Sequence, residues 1–158
     1  MHDASAGSSS IVVGVIPGQP DRVVEEACRM AGSMSASMLY LVYVNSTLTE
    51  ENGHMVPLDS DSMSETWRDD SARLSEHVLG IAQDAGVTAQ YQLLAGDPAK
   101  ELAKFAHSHN ASMIVVGTRE RGALAALQEW ANGSVSLRLS HTQSIAVLTV
   151  PLADQYKS

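Results

Sequence analysis

The residues best suited to binding a ligand lie between Gly117 and Ser134. Gly117 directly follows an apolar run, and Gly133 and Ser134 open a segment with room for a short helix. Glycine after a strand allows close approach of the backbone, and Gly-Ser at a helix start offers unpaired N–H groups, a hydroxyl and the positive end of the helix dipole. With charge from Arg119 and Arg121, these groups could cradle a phosphate. The same residues could equally serve turns and a helix cap with both arginines in solvent, and the motif alone leaves both interpretations open.

Other reactive side chains form no recognisable catalytic or metal-binding pattern. Cys28 falls on the apolar face of a predicted helix and is expected in the core. His107 and His109 are two residues apart on a helix, so they point in different directions and cannot share a metal ion. The chain has neither a P-loop nor a Gly-x-Gly-x-x-Gly motif after a strand. We therefore expect no metal site and no catalytic residues.

Composition indicates one domain and argues against several kinds of partner. The chain has 158 residues, 44% of them hydrophobic, which suits one substantial core. Its net charge of −8 and the lack of a Lys/Arg cluster argue against nucleic acid and anionic membranes as partners. A single cysteine and a start without a basic or long apolar segment predict a cytoplasmic protein.

Five apolar runs of strand length alternate with helical patterns. The predicted strands are Ile11 to Val15, Met38 to Val44, Thr88 to Leu94, Met113 to Val116 and Ile145 to Val150. Apolar residues at helical spacing predict three helices, with stripes at Val24, Ala27, Cys28 and Ala31, at Trp67, Ser71, Leu74, Val78, Ile81 and Ala85, and at Ala99, Leu102, Ala103 and Ala106. A short fourth helix fits between Ser134 and Ser140. This order predicts an α/β fold with helices on both faces of a single open five-stranded parallel sheet.

The elements also set the expected limits of the domain and the place of the site. We expect the domain to span residues 11 to 152, with loose tails at 1 to 10 and 153 to 158. The polar, acidic stretch from Asn45 to Ser64 predicts a long surface loop after the second strand. In open parallel sheets, ligands bind beyond the carboxyl ends of the strands where the strand order reverses. The loops after the first, second and fourth strands are therefore expected to form the site.

Five segments spread over the chain resemble the universal stress protein family. They are Ile11-Val-Val-Gly-Val15, Gly96-Asp-Pro-Ala99, Ile114-Val-Val-Gly-Thr-Arg119, Gly133-Ser-Val135 and Ile145-Ala-Val-Leu-Thr-Val-Pro151. Members of this family are small cytoplasmic α/β domains with strand order 3-2-1-4-5, similar in fold to adenine nucleotide α-hydrolases. They are often dimeric and often bind ATP. The resemblance implies ATP or AMP as ligand and, together with an apolar last strand, a homodimer paired through residues 145 to 150.

The resemblance also implies which residues bind the nucleotide. ATP-binding members carry Gly, two residues, Gly, nine residues and then Gly-Ser or Gly-Thr, and Gly117 and Gly133-Ser134 match the first and last elements. A residue at the position of Val44 meets the adenine with its backbone in such relatives. The implied contacts come from Val15, Val44, Gly117, Thr118, Arg119, Gly133, Ser134 and Val135.

Two positions depart from the family pattern and argue against ATP. Glu120 stands where a second glycine is expected, in a loop three residues longer than the family spacing. Its negative charge would repel a triphosphate. Ile16 follows the first strand where ATP-binding relatives usually carry an aspartate near the ribose and adenine, so a hydrogen-bonding contact is lost.

Three functions follow from the residues and the resemblance. The first is a non-enzymatic stress-response or regulatory protein that binds an adenine nucleotide or another phosphate ligand at the Gly117 to Ser134 loop. The second is a dimeric interaction module of the same fold that has lost the nucleotide. The third, a hydrolase of a nucleotide or phosphoester, ranks last because no catalytic pattern supports it.

Overall fold

Seven strands and three helices are seen in the computed structural model, which describes residues 9–58, 66–118 and 145–152. The strands are β1 (Ser10–Gly14), β2 (Met38–Asn45), β3 (Leu48–Glu51), β4 (His54–Pro57), β5 (Ala89–Ala95), β6 (Met113–Thr118) and β7 (Ala146–Pro151). The helices are α1 (Arg22–Met34), α2 (Thr66–Asp84) and α3 (Pro98–Ser108).

Five of the strands form one parallel sheet in the order β5-β2-β1-β6-β7. Counting only these five along the chain, the order is 3-2-1-4-5. The strand labels differ from that count because a separate hairpin, β3 and β4, comes between β2 and β5. The expected α/β fold with a five-stranded parallel sheet is confirmed.

The face of the sheet under α1 and α2 carries the larger part of the core. Alternate residues of β1 point to this face, and the predicted apolar stripe of α1 is buried against it. The buried stripe of α2 consists of Ser71, Leu74, Val78 and Ala82. It therefore differs from the prediction at both ends, since Trp67 and Ile81 are half-buried and Ala85 is exposed. The helix stops before Gly86, whose φ of +74° suits a glycine after a helix end.

The opposite face of the sheet is covered by α3, which begins where the sequence predicts. The Asp97 carboxylate accepts a hydrogen bond of 2.9 Å from the Lys100 N–H, and Pro98 occupies the first helical position. Three predicted residues of the apolar stripe are buried in this second cluster: Leu102, Ala103 and Ala106. The described helices thus cover both faces of the sheet, as expected.

The stretch from Asn45 to Ser64 is not simply a long loop. Residues 48 to 57 form an antiparallel hairpin, β3 paired with β4. Asn52 and Gly53 make its two-residue turn with φ values of +52° and +81°. An Asn-Gly pair between strands is a strong hairpin signal because both residues tolerate positive φ. The prediction of an unstructured loop was therefore wrong for this part, and residues 59 to 64 lie outside the described residues.

Two further boundaries bear on the site. β6 continues past Val116 because Gly117 and Thr118 pair with Val150 and Pro151 of β7. The sequence predicts Gly117 at the start of a loop. The structure shows instead that it is a strand residue. The predicted fourth helix, residues 1 to 8 and residues 153 to 158 lie outside the described residues. Among the described helices, none is long and apolar enough to cross a membrane.

Candidate functional site

The carboxyl ends of β1, β2 and β6 lie at one edge of the sheet, where the strand order reverses. The chain leaves β1 through α1 toward β2 on one side, and it enters β6 through α3 on the other side of β1. A crevice between two such connections is the usual ligand site of open α/β sheets. The register pairs Val13 with Val115, so Val15 and Gly117 lie at the same level of this edge.

The carbonyl of Val44 leaves the β1–β2 ladder at this edge. The last bond of the ladder runs from the Val15 N–H to the Val42 carbonyl oxygen, at 2.9 Å. Because peptide groups alternate in direction along a strand, the peptide groups of Val44 also face β1. The residue that would donate to the Val44 carbonyl in a continued ladder is Pro17, which has no N–H. The register thus directs this backbone acceptor toward the switch point, the place where the strand order reverses. The Val44 side chain, 9% exposed, packs on the α3 side.

A tight turn begins at Ile16, directly after the last residue that bonds to β2. The Gln19 N–H donates to the Ile16 carbonyl oxygen at 3.3 Å, and Gly18 has a φ of +79°. Proline followed by glycine with positive φ is the signature of a type II turn. The Ile16 side chain, half exposed, is one of two large hydrophobic side chains that are exposed among the described residues. The turn therefore leaves an apolar side chain exposed just after the first strand.

Close packing around position 117 accounts for the glycine there. A Cβ at this position would lie 2.6 Å from Leu152 Cδ1 and 3.0 Å from Val23 Cγ2. Leu152 follows β7 and Val23 begins the buried face of α1. The space beside Gly117 is thus already filled by the protein. This favours a role of the glycine in packing over a role in ligand binding. Thr118 is the last residue of β6, at the carboxyl edge.

A residue that the sequence analysis did not select, Asn45, organises the neighbouring end of β2. Its side-chain oxygen accepts hydrogen bonds from the Thr47 N–H at 2.9 Å and the Thr47 hydroxyl at 2.6 Å. Its own carbonyl oxygen accepts from the Gly96 N–H at 3.3 Å. Asn45 therefore ties the ends of β2 and β5 together. The signal was the Asn-Ser-Thr triplet, since asparagine often bonds to the backbone two residues on.

The predicted phosphate cradle falls where the structure gives no description. Arg119, Glu120, Gly133, Ser134 and Val135 all lie outside the described residues. Of the eight residues predicted to contact a nucleotide, the structure brings Val15, Val44, Gly117 and Thr118 to one edge. The contribution of the other four stays a prediction.

The described residues with a shifted pKa lie on the α1–α2 side of the sheet. Burial raises the pKa of Cys28, Tyr43 and Tyr91, with smaller increases from Glu25 on Cys28 and from Asp70 on Tyr43. Within the described ranges, no group of three or more His, Cys, Asp and Glu residues is placed to hold a metal ion. The described groups at the carboxyl edge include the Val44 backbone carbonyl and the exposed Ile16 side chain.

A comparison with protein families agrees with this fold. The model of the universal stress protein family matches residues 8–151. The chain belongs to this family. The resemblance expected from the sequence is thereby confirmed. A comparison with curated proteins found no match.

Solved structures of universal stress proteins share the fold at low sequence identity. One from Archaeoglobus fulgidus has a TM-score of 0.64 and 16% identity, and the match covers 89% of this chain and 92% of that protein. One from Burkholderia pseudomallei has a TM-score of 0.63 and 20% identity, covering 93% and 98%. A family member from Arabidopsis thaliana with AMP bound has a TM-score of 0.59 and 17% identity, covering 95% and 97%. The Archaeoglobus protein has also been solved in complex with dAMP.

Proposed function

We propose that this protein is a cytoplasmic, non-enzymatic regulatory member of the universal stress protein family that binds an adenine nucleotide at the carboxyl edge of β1, β2 and β6. The observation that carries the proposal is the Val44 carbonyl, which leaves the ladder beside the switch point. The exocyclic amine of adenine can donate to this carbonyl, and Ile16 offers apolar contact to the base. Relatives with AMP and dAMP bound support this ligand class.

The phosphates are assigned to the predicted cradle. Gly133 would allow close approach of the backbone, Ser134 and Val135 would supply hydroxyl and amide contacts, and Arg119 would supply counter-charge. Thr118 and the backbone of Val15 would flank the nucleoside, since the Val15 side chain is buried in the core, while Gly117 keeps its packing role. Glu120 would lie near the terminal phosphates, so AMP is expected to bind more tightly than ATP.

Calorimetric titration with AMP and ATP tests the proposal directly. Absence of binding heat for both nucleotides at millimolar concentration would overturn it. Glu120→Gln should raise the ratio of the ATP affinity to the AMP affinity by about fivefold, since a nearby like charge costs about 1 kcal/mol. Glu50→Gln is the matched control because it removes an equal charge from an exposed position of β3. It should leave the ratio of the two affinities unchanged.

The role of the Val44 carbonyl is tested by changing the base, because a backbone acceptor cannot be removed by substitution of its side chain. N6,N6-dimethyl-AMP lacks the amine hydrogens and should bind about tenfold more weakly than AMP. Equal binding of the two nucleotides would place the base away from Val44. The Ile16→Ala variant should weaken AMP and its dimethyl analogue by the same factor, since the apolar contact does not depend on the amine.

A dimeric interaction module without nucleotide is the second candidate, and the position of β7 favours it. β7 is the last strand of the sheet. The Ala146 N–H donates to the Ser112 carbonyl oxygen at 3.4 Å, so by alternation the N–H groups of Val147 and Thr149 face the open edge. Pro151 takes the next outward position, where a missing N–H does not weaken pairing with β6. We propose that residues 145 to 150 of two copies pair along this edge.

Sedimentation tests the pairing through β7, and calorimetry on the same protein separates the two candidates. Thr149→Pro should convert the dimer to monomer because it removes an outward donor, whereas Thr149→Ala keeps the donor and should stay dimeric. A wild-type protein that is monomeric at high concentration would refute the pairing. A dimer that gives no heat with either nucleotide would favour the interaction module.

A further inference from the structure

A shallow groove of about 810 Å³ runs between α1 and α2 on the outer side of these helices. One stripe includes Glu25 of α1 and Asp21, the N-cap of that helix, and the stripe on α2 includes Glu76, Gly80 and Asp84. Residues four apart on a helix lie on the same face, so each stripe runs along its helix. From position 76 to position 84 the groove is two turns long, about 12 Å.

The floor of the groove is apolar, and Gly80 leaves space above it. Ile81 is half-buried, and the Cys28 thiol lies at the base with 6% exposure. A Cβ placed on Gly80 would meet no atom within 4 Å. A side chain from another molecule could therefore enter at this point and contact the floor.

The rim of the groove is acidic and largely uncompensated. The Asp21 carboxylate contacts His77 Nε2 at 2.7 Å, and the Arg29 guanidinium is bonded to Glu26 on its own helix. Within the described part of the chain, the other three rim carboxylates have no cationic group within 4.0 Å, namely Glu25, Glu76 and Asp84. The charge of Glu25 reaches the floor, since burial and, to a smaller extent, Glu25 raise the pKa of Cys28.

We propose that this groove docks a cationic amphipathic helix of a partner protein. An apolar side chain of the partner would fill the space over Gly80, and flanking Lys or Arg side chains would meet Glu25, Glu76 and Asp84. An apolar floor between rows of like charge is complementary to a helix with anchors at i, i+3 or i+4 and basic residues beside them. The surface uses none of the residues assigned to the nucleotide.

The test uses a fluorescein-labelled model peptide of about 18 residues, long enough to form a helix, with a leucine stripe flanked by lysines. Fluorescence anisotropy with the full chain should show saturable binding, and the same peptide with glutamate in place of lysine should not bind. The Glu25→Gln/Glu76→Gln variant should weaken binding by at least about tenfold, whereas Glu50→Gln/Glu51→Gln, with the same net charge, should weaken it less than about twofold.

A variant that fills the groove provides the second arm of the test. Gly80→Leu should abolish binding, and it should raise the thermal unfolding midpoint because leucine favours a helix more than glycine and a Cβ at this position meets no atom within 4 Å. Failure of the lysine peptide to bind, equal losses in the two charge variants, or unchanged binding to Gly80→Leu would each overturn the proposal. Self-association of the wild type that Gly80→Leu prevents would identify a second copy as the occupant and would also overturn it.

Discussion

Replacing Gly117 by alanine tests whether this glycine serves packing or a ligand. The added Cβ would lie 2.6 Å from Leu152 Cδ1 and 3.0 Å from Val23 Cγ2, inside the contact distance of about 3.5 to 4.0 Å between carbon atoms. The end of the Leu152 side chain can rotate away. Val23 is fully buried in α1 and is stiff at χ1, so it cannot yield as easily. The methyl group therefore requires α1 and β6 to shift apart.

The expected cost follows from two opposing effects. Overpacking of a well-packed core costs about 1 to 3 kcal/mol. Alanine also restricts the unfolded chain, which offsets about 0.4 to 1 kcal/mol of this cost because the φ of Gly117 lies outside the left-handed region. The free energy of unfolding should fall by about 1 to 2 kcal/mol in the absence of any ligand.

Urea denaturation of matched variants measures this change. Gly32→Ala is the control, since Gly32 lies in α1 with open space around it and its replacement should stabilise by about 0.5 to 1 kcal/mol. On a Leu152→Ala background the cost of Gly117→Ala should shrink, because the truncated side chain makes room for the methyl group. The packing argument is refuted if Gly117→Ala stabilises the protein as Gly32→Ala does, or if the cost is the same on both backgrounds.

Three other substitutions or modifications test the structure locally. Asp97→Ala should lower the free energy of unfolding by about 1 kcal/mol in urea denaturation, because it removes the cap on the Lys100 N–H. Ser71→Ala should raise the pKa of Tyr91 further in an ultraviolet pH titration, because the 2.8 Å bond to Ser71 lowers a pKa that burial raises. Burial raises the pKa of Cys28, so its alkylation in the native state should accelerate only above the pH range of an exposed thiol. The same shift stabilises the fold below the unfolded-state pKa of the thiol, and this contribution is lost as pH rises through the folded-state pKa.

Elements with strong local signals could be predicted from the sequence. α3 has its cap, its first-turn proline and its apolar stripe within a few residues, so the prediction needed no knowledge of the rest of the chain. The hairpin shows how such a signal can be overlooked. Asn52-Gly53 specifies the turn, but the flanking strands are short and β3 carries Glu50 and Glu51, so the polar composition outweighed the turn in the sequence analysis.

The candidate site was less predictable because the positions of its groups depend on how neighbouring strands are aligned. Gly117 was assigned to a loop because its partners, Val150 in the sheet and Leu152 and Val23 in the core, are distant in sequence. The Val44 carbonyl presents a related difficulty, since the side chain at position 44 could change without altering the availability of this backbone acceptor. It is directed to the switch point because β1 is aligned with β2 so that Pro17 falls where a donor would be needed. A backbone acceptor leaves no mark of its own in the sequence; the informative residue is the proline opposite it, and only the register identifies that position as opposite.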